Sequence, residues 1–281
     1  MMGNVKIVTD STVDMTQEEI KRYGIEMVPL SISIDDMIYL DKIEIEQEEF
    51  LIKMKNAKEL PKSSQPSTGT FLDVFDRLGE DGSEIISIHM TGGMSGTVQS
   101  AESAAKMTES NVTVFDSKYI SKALSFQVIE AAKMAKEGKS VAEILERIKD
   151  IQSQSRLIIS IDTLENLVKG GRIGKVSAMI GSLLNIKPIA ILEDGVLHPV
   201  SKARSQSQIV KFVVNKYKED LKDKQITGIG IVHVNGYEIA SKIRTALAEI
   251  SGLSNIKIEG TSPVVSTHTG EGAMGVMYHW E

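Results

Sequence analysis

Four short apolar runs in the first half of the chain, VKIVTD (5–10), GIEMVPLSISI (24–34), EIISIHM (84–90) and NVTVFD (111–116), alternate with stretches of helical periodicity. The helical stretches fall at 16–23, 45–58, 69–80, 95–109 and 119–137. A parallel strand pair needs a crossover of a dozen or more residues, and an intervening helix supplies one. The alternation therefore predicts an α/β domain built on a mainly parallel sheet. In an open parallel sheet, ligands gather at the carboxyl ends of the strands. Asp10, Ser11, Thr12, Asp116 and Ser117 stand at such ends, although these residue types also cap helices, which is the plainer expectation for them.

The rhythm changes after a helix with one polar face at 141–152. RLIISID (156–162), KPIAILEDGVLHPV (187–200), TGIGIVHV (227–234) and IKIEGTSPVVSTH (256–268) read as strands, with helices at 162–168, 175–184, 205–221 and 236–251. Glu193-Asp194-Gly195 reads as a tight hairpin turn. Hairpins mixed with helices predict an α+β domain with mixed or antiparallel pairing. The expected division is an N-terminal domain of 1–153 and a C-terminal domain of 154–281, with a ligand between them.

The chain has 281 residues, 41% of them hydrophobic and 25% charged, a composition that supports a folded core throughout. A net charge of −6 lacks the basic face that a nucleic-acid binder needs to displace counterions. No cysteine is present, which removes disulfides, thiolate catalysis and zinc-thiolate sites. No secretory leader or run of 18 apolar residues is found, so a cytoplasmic location is expected.

The segment GGMSGTVQSAE (92–102) joins an apolar run to a helical one. A nucleotide loop needs a lysine after its last glycine, and a dinucleotide fingerprint needs a different glycine spacing; both fail here. Backbone N–H groups of Ser95, Gly96 and Thr97 at a helix start, with two hydroxyls, suit a small anion such as a carboxylate. Turn glycines and a serine cap explain the same residues without a ligand.

Among the five histidines, His89 and His233 lie within strands, where a hydrogen-bonded structural role is expected, and His198 and His279 have nothing nearby in sequence to recruit them. His268, in VVSTHTGEGAMG, sits where an apolar run meets glycines, the setting of a ligand loop or of a simple turn. None has metal-ligand spacing. A serine hydrolase built on Ser95 and His268 is the alternative enzyme reading, without the usual Gly-x-Ser-x-Gly elbow. Lys169, Arg172, Lys175 and Lys187 concentrate around glycines in an otherwise acidic chain, as a partner patch would, or as a helix C-cap followed by solvated lysines.

Taken in order, IVTDSTVDM, SSQPSTGTF, ISIHMTGGMSGTVQSA, VFDSKYIS, LENLVKGGRIG, LLNIKPI and STHTGEGAMGV resemble the DegV family, the fatty-acid-binding components of bacterial fatty acid kinase. The resemblance spans residues 7 to 276. It implies a Rossmann-like N-terminal domain and a second α/β domain clasping one long-chain fatty acid of palmitate, stearate or oleate type. No cofactor, metal or catalytic residue is implied. The carboxylate would be held by Ser63, by Ser95 with Gly96 and Thr97, and by His268 with Thr269, with Arg204 near the same opening. Arg172, Lys169 and Lys175 would face partner proteins, chiefly a separate ATP-dependent kinase subunit that makes acyl phosphate for phospholipid synthesis. Transient contact with a membrane surface is a further expectation. Three positions depart from the family pattern: Ser63 stands for a usual threonine, Val98 for a common tyrosine, and Glu271 for a common proline beside His268. Burying an acyl chain contributes about 0.8 kcal/mol per methylene, so tight binding needs no metal.

Overall fold

The computed structural model describes residues 4–179, 186–222 and 224–281, with the backbone alone at 177–179. The chain begins β1 (Val5–Asp10), α1 (Gln17–Tyr23), β2 (Glu26–Val28), β3 (Ser31–Ile34), β4 (Met37–Leu40), α2 (Gln47–Asn56), β5 (Lys62–Ser64), α3 (Thr68–Gly79), β6 (Glu84–His89), α4 (Thr97–Ala105) and β7 (Val112–Asp116). Two helices follow, α5 (Ser121–Lys136) and α6 (Val141–Ser153). Strands β2-β1-β6-β7 form a parallel sheet, as the alternation of apolar runs and helices requires.

From Ser155 onward the elements are β8 (Ser155–Ser160), α7 (Glu165–Lys169), a 3-10 turn at Gly174–Met179, β9 (Lys187–Glu193), β10 (Val196–Ala203), α8 (Gln206–Asp220), β11 (Ile226–His233), α9 (Tyr237–Ser251), β12 (Lys257–Gly260), α10 (Pro263–Thr269) and β13 (Met274–Trp280). They build a mixed six-stranded sheet in the order β10-β9-β8-β13-β11-β12. The β9–β10 turn is the expected hairpin. Asp194 and Gly195 both take positive φ, 49° and 79°, which only a primed two-residue turn requires. Helix α5 packs against β1 of one sheet and β11 and β13 of the other.

Four elements differ from the sequence reading. The run 24–34 is two strands, because Pro29 has no N–H to continue a ladder; β2 stays in the parallel sheet and β3 leaves it. There β3 pairs antiparallel with β4 and β5 to form a third, small sheet that carries Ser63. The run 256–268 is a strand only to Gly260. Ser262 then caps a helix at the Val265 amide, and Pro263 sits in its first turn, where its missing N–H costs nothing. The helix expected at 175–184 is a 3-10 turn to Met179; its remainder, with the start of LLNIKPI, lies outside the described residues. Finally, MGVMYHW is a strand buried in the middle of the mixed sheet.

Candidate lipid-binding site

The residues of the N-terminal parallel sheet edge, the small sheet and the mixed sheet meet around one cavity. Met90, Met94 and Ile120 come from the first sheet's loops, and Leu157, Ile159, Leu167, Leu192 and Leu197 from the second. Most of the wall is apolar. Its polar residues are Thr12, Ser63, Gln65, Ser95, Arg172, His268 and Thr269.

Ser63 and His268 share a hydrogen bond, Oγ to Nε2 at 2.7 Å, across 205 residues of sequence. Strand β5 delivers the serine and the last turn of α10 delivers the histidine. His268 packs so closely on Gly170 that a Cβ there would strike its ring. Gly170 and Gly171 close α7 as a C-cap, with their amides donating to Asn166 and Val168. Burial drives the His268 pKa down to about 4, and the nearby Arg172 charge pushes the same way, so the ring is neutral at physiological pH.

Arg172, read from sequence as a partner-surface residue, is instead part of the cavity wall. Its Nε donates to the Met94 carbonyl at 3.1 Å and its Nη1 to the Gly170 carbonyl at 2.7 Å, which aims the guanidinium by backbone contacts. A part-buried guanidinium beside hydroxyls and a neutral imidazole makes an anion site that can take a carboxylate. Lys169 and Lys175 are exposed, and Lys169 pairs with Glu165 at 2.6 Å.

The GGMSG segment is only partly in the site. Ser95 lines the cavity; its Oγ shares a hydrogen bond with Thr97 Oγ1 at 2.8 Å and accepts one from the Thr97 amide at 3.3 Å. Thr97 is fully buried and, like Gly96, lies off the cavity wall. The expected place of the Thr97 amide in that cradle is therefore a correction: it is already used by Ser95 Oγ. The glycines answer to close packing instead. A Cβ on Gly93 would collide with the Gly195 carbonyl, and one on Gly96 with the Gln65 side chain. Thr269 reaches the wall, with its hydroxyl donating to the Val265 carbonyl. Arg204 is exposed at the end of β10 and is absent from the wall, a second correction. Glu271 is exposed, accepts a hydrogen bond from Asn235 and is absent from the cavity wall. Val98 is buried within α4.

Behind the wall, buried polar residues fix its shape. Asp10 accepts hydrogen bonds from the Thr12 amide and hydroxyl and from the Met90 amide, and contacts His89 Nδ1 at 3.1 Å. His89 Nε2 in turn meets Ser87 Oγ at 2.6 Å. All three side chains are fully buried, so this Ser-His-Asp array joins β1 to β6, the structural role expected of His89. It places two wall residues, Thr12 and Met90. Neither Asp10 nor Asp116 caps a helix, contrary to the plainer expectation: α1 is capped by Thr16, and α5 begins without a side-chain cap. His279, thought to lack a recruit, bonds the Thr227 hydroxyl at 2.7 Å and packs on Phe126.

The hydrolase arrangement is not assembled. His268 is bonded to Ser63, Ser95 to Thr97, and His268 Nδ1 has no hydrogen-bond partner among the described residues, so no carboxylate orients the ring. Among the described residues no His, Cys, Asp or Glu cluster is placed to hold a metal, and no helix is long and apolar enough to cross a membrane.

The model of the uncharacterised DegV protein family matches residues 4–281. The chain belongs to the DegV family. The DegV domain-containing protein lmo1863 of Listeria monocytogenes is 43% identical over 279 residues, 99% of either chain. Two solved structures are similar throughout. A fatty-acid-binding DegV family protein from Thermus thermophilus superposes with a TM-score of 0.93 at 29% identity, covering 99% of this chain and 100% of its own. The fatty-acid-binding DegV of Bacillus subtilis gives 0.91 at 31% identity, with the same coverage. Gln65, whose amide donates to Ser100 while its carbonyl end packs on Gly96, is a wall residue of this DegV protein that sequence reasoning missed. The Ser-Gln-Pro-Ser segment was its only signal.

Proposed function

We propose that this DegV protein binds one long-chain fatty acid, of palmitate, stearate or oleate type, between the domains 1–153 and 154–281. The acyl chain lies along Met90, Met94, Ile120, Leu157 and Ile159, and the carboxylate sits among Ser63, Ser95, His268 and Arg172. The observation that carries this reading is a cavity apolar along its wall and polar at one cluster, where a part-buried guanidinium stands beside a neutral imidazole. Arg172 supplies the countercharge, and the hydroxyls and the imidazole supply directed hydrogen bonds. The fatty-acid-binding relatives support the choice of ligand.

The protein is further inferred to be non-catalytic and cytoplasmic, and to present the carboxylate to a separate ATP-dependent kinase that forms acyl phosphate for phospholipid synthesis. A groove next to Ser63, His268 and Arg172, edged by Lys58, Lys62 and Lys169, opens the carboxylate end toward such a partner. Lys169 and Lys175 are assigned to that contact. Exchange of the two lysines for alanine should leave oleate retention unchanged and slow carboxylate phosphorylation by the kinase. Loss of oleate from that double variant would place the lysines in the pocket and contradict the assignment.

A further inference from the structure

A second, smaller pocket adjoins the main cavity. This small apolar chamber lies against the faces of β11 and β13, and shares Ile120, Leu157, Ile159, Val265 and Thr269 with the main cavity wall. Sheet register sets a glycine in its wall. Ile159 on β8, Gly275 on β13 and Val232 on β11 are paired side by side, so they form one row across the sheet. The middle member of that row has no side chain. A Cβ on Gly275 would meet Val232 Cγ2 at 3.2 Å and Met277 Sδ at 3.4 Å, both of residues that line the chamber. Gly275 φ is not in the left-handed region, so its backbone does not demand glycine. The glycine is explained by the close approach of Val232 and Met277, which leaves no room for a Cβ between them.

At the junction, Ser121 holds a φ of 60°, a strained value for a residue with a side chain. The strain is held by its amide donating to the Thr12 carbonyl and its hydroxyl to Asp14 at 2.5 Å. It fixes the neighbouring Ile120 at the point where the two cavities meet.

We propose that the bound acyl chain turns at Ile120 and that its methyl end occupies the chamber under Gly275, so that Gly275 and Met277 set the chain length retained. This inference rests on the fatty-acid reading of the main cavity. It is tested by offering the wild type, Gly275→Val and Met277→Ala an equimolar mixture of laurate, myristate, palmitate, stearate and arachidate, and weighing the retained lipid by native mass spectrometry. Gly275→Val should move the preference toward laurate and myristate, with stearate retention falling roughly tenfold for two excluded methylenes. Met277→Ala should move it toward arachidate. Circular dichroism checks that each variant folds; should Gly275→Val fail to, the Met277→Ala shift decides. One ranking of chain lengths shared by wild type and folded variants would overturn the chamber assignment and leave the fatty-acid reading intact. A wild type that takes up none of the five acids would remove the fatty-acid reading itself.

Discussion

His268 meets two demands that pull against each other: it must be buried to close the wall, and it must offer a hydrogen bond to an anion. Burial keeps it neutral, and a neutral imidazole can still donate one proton. The histidine titrates near 6.5 when unfolded and at about 4 in place. Between those values the unfolded chain binds the extra proton, so the residue adds no penalty above pH 6.5 and erodes stability as pH falls toward 4. His268→Gln should therefore flatten the fall in denaturant midpoint between pH 6.5 and 4. Part of the slope should persist, because His279 is shifted down in the same way. Ser63→Ala, His268→Ala and Arg172→Ala should each weaken oleate retention, the two neutral donors by about tenfold and the guanidinium by more. Retention unchanged in Arg172→Ala, measured by competition with a fluorescent fatty acid, would return that residue to the partner surface. Sequence spacing could not assign Arg172, because a charge among glycines reads as exposed; only the Met94 and Gly170 carbonyls show where its side chain goes.

Short elements carry the site. Helix α10 holds His268 at one end, and at the other the Val264 amide donates to Asp41 at 3.3 Å. Asp41 is fully buried and also accepts from Ser11 at 2.6 Å. Burial raises its pKa to about 7, against the pull of the adjacent Lys42. The folded state thus keeps a proton that the unfolded chain gives up near 3.8, and the stability linked to it declines as pH rises through that window to 7. Asp41→Asn keeps an acceptor for Val264 and should be relatively more stable at pH 8 than at pH 5, by thermal melts in matched buffers. Gly170→Ala is compatible with the local φ of −78°, but its Cβ would strike the His268 ring and the Asn166 carbonyl, so it should lose oleate and also lower the melting temperature. The Ser262-Pro263 pair announced α10 in the sequence, yet the apolar run before it was read through as strand. Strand β13 left almost no signal: nearly every residue of MGVMYHW is buried, so the alternation that marks a half-exposed strand is missing.

At the scale of the whole molecule, the parallel sheet was legible because crossover strands leave a long-range rhythm in the sequence. The meeting of the two sheets was not, since it depends on contacts between distant residues. Thr91 donates to the Gly195 carbonyl at 3.1 Å, Lys122 pairs with Glu259, and Gln47 donates to the His233 carbonyl at 2.8 Å. Gly195 combines a φ of 79° with Thr91 directly over the position a Cβ would take. Gly195→Ala should cost about 1–3 kcal/mol of stability, read from urea midpoints. The most direct test of the central claim is the native mass of the purified protein, followed by lipid extraction. One long-chain fatty acid per chain is expected, lost from His268→Ala and Arg172→Ala. A wild-type protein that stays at its apo mass under gentle conditions, and takes up no added oleate, would contradict it.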